Sequence, residues 1–337
     1  MGVTPRERVY QALKFEQTDI VPYHVEFTEV AHRNLAEYYG NPEFESAVGN
    51  HLAYIVVVPE SIWEEVAPGH FRDEWGVIWN RTVDRDIGVV ENCVLPEPNI
   101  DQLLLPDVAP LGSLDRYAAF VEANPDRFRI AAIGFSLFER AWTLRGMEQL
   151  LIDFVERPEF VHELLEAITE FTLTQVDSVL KHEIDAVRFG DDWGSQAGLI
   201  MGPTLWREFI KPYATRLYQR VREAGRFVFI HSCGDVDAIL DDLVECGVQV
   251  FNPFQPEVMD VFETKNRYYG RLAFYGGISV QRLLPHGTPD EVRAEVRRLL
   301  DTLGRGGGYL ASPSHAVPAD VPPENMAAMI EVLNYTT

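Results

Sequence analysis

Short apolar runs alternate with stretches of helical periodicity along most of this chain. Runs rich in β-branched and aromatic residues lie near positions 22, 54, 131, 187, 229, 250, 273 and 310. Most are followed by a segment with apolar residues three or four positions apart, and the longest helical pattern fills residues 138–181. Continuous apolar runs are typical of buried parallel strands, and strands alternating with helices are typical of α/β proteins. About eight such units predict a single (β/α)8 barrel of the TIM type.

Two segments fall outside this alternation. Thr4 is followed by a proline and by apolar residues on one helical face, which predicts an amphipathic N-terminal helix over residues 4–15. A stretch rich in Trp, Gly and alternating Val or Ile, about residues 71–95, predicts a β-hairpin insert. Because no linker-like composition divides the chain, we expect one domain over residues 1–337.

The segment RFVFIHSCGDV, residues 226–236, ends a predicted strand in reactive side chains. Side chains alternate between the two faces of a strand, so His231 and Cys233 are expected on the same side. An imidazole beside a thiol suits zinc, or lowers the pKa of the thiol so that a thiolate forms. The pair also has an ordinary interpretation, in which His231 is a hydrogen-bonded residue at a strand end and Cys233 is a small buried side chain.

Polar side chains follow several other predicted strands. Since the active sites of (β/α)8 barrels lie at the C-terminal ends of the strands, these residues are expected on one face of the barrel. They are Glu26, Glu29, Asp191, Asp192, Trp193, Gln196, Asn252, Gln255, Ser279, Ser314 and His315. Taken singly, such residues are better explained by helix capping or solvation. His315, however, could bring a second imidazole to the first pair, and two imidazoles with one thiolate make an open zinc site.

Composition narrows the classes of function. A formal charge of −23 and a pI of 4.7 would repel nucleic acid and anionic membranes, so neither is an expected partner. No run reaches about 18 apolar residues and the start has no signal-peptide pattern, which predicts a cytoplasmic protein. Three cysteines, Cys93, Cys233 and Cys246, are too few for a disulfide framework, as expected in a reducing compartment.

Several segments resemble the uroporphyrinogen decarboxylase superfamily. They are TPRERVYQALKFEQTDIVP near the start, IHSCGDVDAILDDLVECGVQVFNPFQPE, FYGGIS, LPHGTPDEVRAEVRRLLDTLGRGGGYLASPSH and DVPPENMAAMIE. The resemblance covers most of the chain and implies a (β/α)8 barrel. The superfamily holds the decarboxylases of the haem pathway and zinc-dependent methyltransferases that work with corrinoids or coenzyme M.

Two features place the resemblance nearer the methyltransferase branch. The decarboxylases carry an arginine-rich segment of the type FMRQAGRYLPEY after the first strand, whereas this chain has Glu26 and Glu29 there. The methyltransferases carry a His-x-Cys pair and a distant cysteine as zinc ligands. His231 and Cys233 match the pair, and His315, in SPSHAVP, takes the position of the distant cysteine. The resemblance therefore implies a zinc ion held by these three residues, with Glu26 or a water as fourth ligand.

We therefore expect a zinc-dependent enzyme that moves a methyl group between a small methylated ether or amine, or a thiol, and a corrinoid carried by a partner protein. The expected catalytic residues are Asp192, Glu26 and Gln255, and the expected substrate-binding residues are Tyr23, Asp191, Trp193, Asn252 and Tyr275. Two alternatives stay open: a decarboxylase acting on a porphyrinogen or smaller pyrrole acid, and a non-catalytic module that binds a corrinoid or tetrapyrrole. The oligomeric state is also open, a homodimer included.

Overall fold

A curved parallel sheet of seven strands forms the centre of the protein. The computed structural model describes residues 2–83, 85, 87–107 and 114–334. In chain order its strands are β1 (Leu52–Val56), β2 (Glu64–Ala67), β3 (His70–Arg72), β4 (Ile78–Asn80), β5 (Val89–Val90), β6 (Phe128–Ile133), β7 (Ala186–Gly190), β8 (Gly194–Ser195), β9 (Gly198–Leu199), β10 (Phe227–His231), β11 (Val250–Phe254), β12 (Ala273–Ile278) and β13 (Tyr309–Pro313). The central sheet has the order β1, β6, β7, β10, β11, β12, β13, with each pair parallel.

The segment before β1 takes the eighth position and brings the two edges of the sheet together. Ala311 of β13 donates its N–H to the carbonyl of Pro22 at 2.9 Å, and accepts from the N–H of His24 at 3.0 Å. On the other side, Tyr23 accepts from the N–H of His51 at 3.0 Å. The segment forms only isolated bridges instead of the regular first strand that its apolar run predicts, since Pro22 has no N–H to donate to a ladder. The predicted α/β barrel of the TIM type is confirmed.

Helices flank the strands of this sheet. Their bounds are α1 (Pro5–Leu13), α2 (Glu29–Tyr39), α3 (Glu45–Val48), α4 (Leu114–Ala123), α5 (Phe138–Arg145), α6 (Met147–Glu156), α7 (Pro158–Val179), α8 (Gly202–Leu205), α9 (Lys211–Glu223), α10 (Leu240–Cys246), α11 (Val261–Arg267), α12 (Leu283–His286), α13 (Pro289–Leu303) and α14 (Pro323–Leu333). The helical pattern over residues 138–181 is divided among three helices, because Gly146 adopts a left-handed φ of 88° and Pro158 begins a new first turn. Within the described residues, no helix is both long and apolar enough to cross a membrane.

The N-terminal helix α1 closes the bottom of the barrel. Thr4 caps it with a capping box, as its sequence pattern predicts. Its buried residues Val9, Ala12 and Leu13 belong to one apolar cluster with the inward-facing side chains of the lower strands. Arg6 ties the helix to the buried Asp185 just before β7, with Nη2 to Oδ1 at 2.6 Å. Because the bottom is filled with apolar side chains, the polar interior of the barrel opens at the C-terminal ends of the strands.

An antiparallel sheet of four strands, β2 to β5, is inserted between β1 and β6. The predicted hairpin over residues 71–95 therefore underestimates the insert, since the charged strand Glu64–Ala67 has no apolar alternation that would reveal it. Positions 84 and 86 of the insert lie outside the described residues. Buried Asp73 anchors the insert by accepting from Trp79 Nε1 at 3.1 Å and from Arg140 of α5 at 2.7 Å.

Candidate active site and metal centre

Three side chains that bind transition metals meet at the C-terminal ends of the strands. His231 is the last residue of β10, Cys233 follows two positions later, and His315 follows β13. The Cys233 Sγ lies 3.4 Å from His231 Nε2, and one ligand atom from each of the three residues lies within 4.8 Å of the others. Strands β10 and β13 are not neighbours, because β11 and β12 lie between them. The loop after β13 nevertheless carries His315 across the mouth of the barrel to the other two side chains.

The loop that carries Cys233 is held by two side chains that follow neighbouring strands and by one side chain of its own, Ser232. The Cys233 N–H donates to Asp192 Oδ1 at 2.8 Å, and the Gly234 N–H donates to Gln255 Oε1 at 2.7 Å. Ser232 Oγ accepts from the N–H of Trp193 at 3.0 Å. Asp192 and Gln255, which the sequence suggested as catalytic residues, therefore lie beside the group of His231, Cys233 and His315 and fix the backbone at Cys233 and Gly234.

Two neighbours act on Nδ1 of the His231 ring. The Asn252 amide donates through Nδ2 to the carbonyl of Tyr275 at 3.0 Å, so its Oδ1 faces the imidazole, 2.5 Å from His231 Nδ1, and favours a proton there. Arg188 Nη2, a donor 2.8 Å from the same Nδ1, favours the other tautomer. A metal on Nε2 requires the tautomer with the proton on Nδ1, for which Asn252 supplies the acceptor. Burial, together with the Arg188 cation, lowers the pKa of His231 well below its usual value. Its imidazole is therefore neutral, as a metal ligand must be.

The arrangement fits a tetrahedral transition metal. On a zinc ion, bound nitrogen and sulfur atoms lie about 3.3 to 3.8 Å apart, so the distance between Cys233 and His231 already falls in that range. Burial, with the nearby Asp192 carboxylate, raises the pKa of Cys233 above its usual value. A thiolate at this place therefore requires a cation beside it. The hydrogen bond from His231 to Asn252 is the kind of outer contact that orients a metal-binding histidine.

A cavity of about 210 Å³ lies beside two of these residues, His231 and His315. It is lined by Glu26, Arg188, His231, Asn252, Tyr275, Ser312, Pro313, Ser314, His315 and Ala316. Glu26 is exposed at its opening, whereas Tyr275 is buried and its hydroxyl lies 3.3 Å from that of Tyr54. The cavity is smaller than sites for drug-sized ligands, which measure roughly 300 to 1,000 Å³. It suits a small substrate.

A profile of the family described as uroporphyrinogen decarboxylase (URO-D) matches residues 89–335. The chain belongs to the uroporphyrinogen decarboxylase family. Curated relatives named uroporphyrinogen decarboxylase include one from Methylococcus capsulatus, which is 27% identical over 257 residues, or 70% of this chain and 68% of that protein. Another, from Xanthomonas euvesicatoria, is 24% identical over 184 residues, or 52% of this chain and only 50% of that protein.

A solved structure of a methyltransferase from Methanosarcina mazei has the same fold. It superposes with a TM-score of 0.75 at 19% sequence identity, and the match covers 99% of both chains. At this sequence identity the similarity shows the fold alone. The reaction has to be inferred from the side chains at the site.

Three residues that the sequence suggested for substrate binding lie away from the cavity. Asp191 is fully buried and accepts from the N–H groups at the start of α5, including Glu139 at 2.8 Å, and from Trp193 Nε1 at 2.6 Å. Burial raises the pKa of Asp191 to about 6, although these donors oppose the shift. Trp193 packs edge-on against Trp206. Tyr23 points outward and donates to the carbonyl of Val48 at 2.8 Å. Their observed contacts are those of structural residues.

Two charged residues at this site are absent from the sequence predictions. Glu139 lies in the first turn of α5, and burial, with the Asp192 and Asp191 carboxylates, raises its pKa well above the usual value. Arg188 lies inside β7, with its Nη2 2.8 Å from His231 Nδ1 and its guanidinium 5.5 Å from the centre of the Tyr54 ring. A cation within an otherwise apolar predicted strand, AVRFG, was the available signal for Arg188. Glu139 had no such signal, because it falls within a helical pattern.

Proposed function

We propose that this protein is a zinc-dependent methyltransferase that demethylates a small methylated donor and passes the methyl group to a corrinoid on a partner protein. The observation that carries the proposal is the convergence of His231, Cys233 and His315, whose ligand atoms lie within 4.8 Å of one another beside a small cavity. Three nitrogen and sulfur ligands with one open position are typical of catalytic zinc sites, whereas structural zinc sites have four protein ligands.

These three side chains would hold the zinc, and Glu26 or a water would take the fourth position until a substrate arrives. Zinc bound there would supply a Lewis acid that stabilises negative charge on the substrate heteroatom. Asn252 supplies the acceptor that the required tautomer of His231 needs, while Asp192 and Gln255 keep the Cys233 loop in place. These side chains would thus position the substrate heteroatom beside the mouth of the barrel.

The methyl group would leave the donor heteroatom for cobalt(I) of the corrinoid. The heteroatom keeps the electron pair of the broken bond and then takes up a proton, while the methyl carbon forms a bond to cobalt. A cavity of about 210 Å³ cannot enclose a corrin ring, so the corrinoid must approach the mouth from outside, on a second protein. This size argument supports a partner that carries the cofactor.

The direction of transfer follows from the charge of the ligand set. One thiolate and two neutral imidazoles carry less negative charge than the two thiolates and one imidazole of the superfamily pattern. A less negative ligand set makes the site more electrophilic, which favours removal of a methyl group from an ether or phenol oxygen over activation of a thiol. Replacing His315→Cys should therefore increase methylation of thiols by methylcobalamin relative to demethylation of methoxylated donors.

Decarboxylation of a porphyrinogen is the second candidate, because the curated relatives are named for it. Two contacts weigh against it. Asp191, which could have bound pyrrole N–H groups, is already occupied by the N–H groups at the start of α5 and by Trp193. Asp192 accepts from the Cys233 backbone. In addition, the cavity is too small for a tetrapyrrole with eight carboxylates, and Glu26 would repel such a substrate.

The deciding experiment measures zinc and methyl transfer together. We expect about one zinc per chain by elemental analysis after reconstitution, and methylcobalamin formation when cob(I)alamin is mixed with a panel of methoxylated and methylated-amine donors. Cys233→Ser and His315→Ala should each lower the zinc content sharply. Cys93→Ser is the matched control, because Cys93 is an exposed cysteine in the passage between β5 and β6.

Each alternative gives a different result in that experiment. A chain that takes up no zinc but converts uroporphyrinogen to coproporphyrinogen would be a decarboxylase. A chain that binds a corrinoid without turnover of either substrate class would be a binding module. A zinc content near zero after reconstitution refutes the proposed metal site, and rapid thiol methylation without any donor demethylation refutes the proposed direction.

A further inference from the structure

Arg188 is a positive charge inside the barrel whose function the metal site does not explain. It extends from β7 into the cavity, where its Nη2 approaches His231 Nδ1 at 2.8 Å. Within the described residues, no carboxylate oxygen lies within 4.0 Å of its guanidinium nitrogens. Its guanidinium also lies 5.5 Å from the centre of the Tyr54 ring, and the Tyr54 hydroxyl is 3.3 Å from that of Tyr275, which lines the cavity. Arg188 is partly buried, and a guanidinium withdrawn from water without a paired anion is costly, so such a residue is kept where an anion binds.

A second polar group in the same cavity also has no partner. Ser314 is fully buried, lines the cavity and has a hydroxyl without a hydrogen-bond partner. The backbone of Ser314 is fixed, because its N–H donates to the carbonyl of Ile278 at 2.8 Å. Buried hydroxyls nearly always have a partner, and a lone one marks a place where a water or a ligand belongs. Ser312, two residues earlier in the chain, also lines this cavity.

We propose that Arg188 and Ser314 bind the carboxylate of the substrate, so that the methyl donor is a small organic acid. The guanidinium offers two parallel N–H groups, which match the two oxygens of a carboxylate, and the serine hydroxyl supplies a further donor. This inference names the substrate class of the methyltransferase proposed above, and rests on that proposal only for the identity of the reaction. Binding of the acid itself requires no metal and no corrinoid.

The position of Arg188 also limits the length of the acid. The Arg188 guanidinium is next to Nδ1 of the His231 ring, and the Cys233 thiol is next to Nε2 of the same ring. The carboxylate site and the proposed metal site are therefore separated by the width of one imidazole. An acid with its methylated heteroatom one or two carbons from the carboxylate, such as an α-methoxy acid, spans that separation. A long acid would exceed the small cavity.

Glu26 is the acidic residue that lines this cavity, and its location limits how strongly it repels an anion bound near Arg188. It is exposed at the opening, whereas Arg188 is half-buried beside Tyr54 and the buried Tyr275. Charges in contact with water are screened strongly, and charges inside the cavity much less. The deep positive charge therefore determines what binds at the base, and Glu26 disfavours acids that carry a second negative group near the mouth.

The test compares methoxyacetate with methoxyacetamide, which has nearly the same shape and no charge. Calorimetry with zinc-free protein measures binding to the side chains alone, since a carboxylate could otherwise bind the metal directly. We expect the acid to bind at least about tenfold more tightly than the amide. Arg188→Met should abolish this preference, Ser314→Ala should reduce it several-fold, and the control Arg216→Met, at an exposed ion pair with Glu166, should leave it unchanged.

Further variants and measurements separate binding from folding and from chemistry. Arg188→Lys keeps the charge but not the two parallel donors, so it should retain part of the preference even if Arg188→Met lowers the melting temperature. Equal binding of acid and amide to the natural protein refutes the carboxylate site, and so does a preference that survives Arg188→Met in folded protein. An acid preference in a chain that takes up no zinc refutes the proposed metal site and leaves the carboxylate site standing. Zinc uptake together with equal turnover of acid and amide donors would instead refute the carboxylate site and leave the metal site standing.

Discussion

Replacement of Asn252 tests the proposed metal centre without changing any of its three proposed ligands. Asn252 accepts from His231 Nδ1 and donates to the carbonyl of Tyr275 at 3.0 Å, and it is buried. In Asn252→Leu the imidazole loses the acceptor that the required tautomer needs. Loss of such an outer contact typically weakens metal binding by about 10- to 100-fold, which corresponds to roughly 1.4 to 2.7 kcal/mol. Asn252→Asp keeps an acceptor at the same place, and a carboxylate makes the imidazole more basic, so zinc affinity should be kept or increased.

The stability of the variant has to be separated from its zinc affinity. Removing Asn252 also leaves the Tyr275 carbonyl without its donor, which costs about 1 to 3 kcal/mol of folding free energy. Asn325 is the matched control, since it is a buried amide that donates to the carbonyls of Leu284 and Gly287 at 2.8 Å, away from the metal centre. Asn325→Leu should lower the free energy of unfolding similarly but leave zinc affinity unchanged.

Zinc affinity is measured by competition with a chromophoric chelator, and stability by urea unfolding of the zinc-free proteins. Asn252→Leu should lose affinity at a temperature where both leucine variants are folded. Unchanged zinc affinity in Asn252→Leu would mean that the outer hydrogen bond does not orient His231. Equal losses in the Asn252 and Asn325 variants would mean that the effect is one of general destabilisation.

Three further predictions concern the loop, acid stability and the reaction. Gly234→Ala should lower both the melting temperature and the zinc content. Gly234 has a left-handed φ of 83°, and a Cβ there would lie 2.3 Å from the Gly194 carbonyl carbon. An unchanged melting temperature and zinc content would contradict the tight turn. Burial lowers the pKa of His51 to about 4. Below about pH 6.5 the unfolded chain therefore takes up a proton that the folded chain does not, and stability falls by up to about 3 kcal/mol on going down to pH 4. His51→Phe should remove that part of the slope in urea unfolding measured between these pH values, and an unchanged slope would exclude His51 as its source. Uroporphyrinogen should give no coproporphyrinogen on chromatography, and sustained formation at enzymatic rates would favour the decarboxylase.

The sequence by itself determined the strands of the barrel, the start of α1 and the shared face of His231 and Cys233. Buried parallel strands must be apolar on both faces, so seven of the eight predicted runs appear as strands of one sheet. The cap at Thr4 and the proline after it are local signals, which is why the start of α1 agrees with the pattern. His231 and Cys233 share a face because strand geometry has a period of two, and this alternation needs no tertiary information.

Only the tertiary structure decided which polar residues face the cavity. Asp191 and Asp192 are neighbours in sequence, yet one caps α5 and the other holds the Cys233 backbone, because adjacent residues at the end of a strand point in opposite directions. Arg188 and Ser314 are far apart in sequence and line the same cavity because β7 and the loop after β13 both contribute to the mouth of the barrel. The approach of His315 to Cys233 likewise depends on the path of a loop across two intervening strands. Such contacts depend on the paths of loops and on strands far apart in sequence, which the local pattern of hydrophobic and polar residues does not specify.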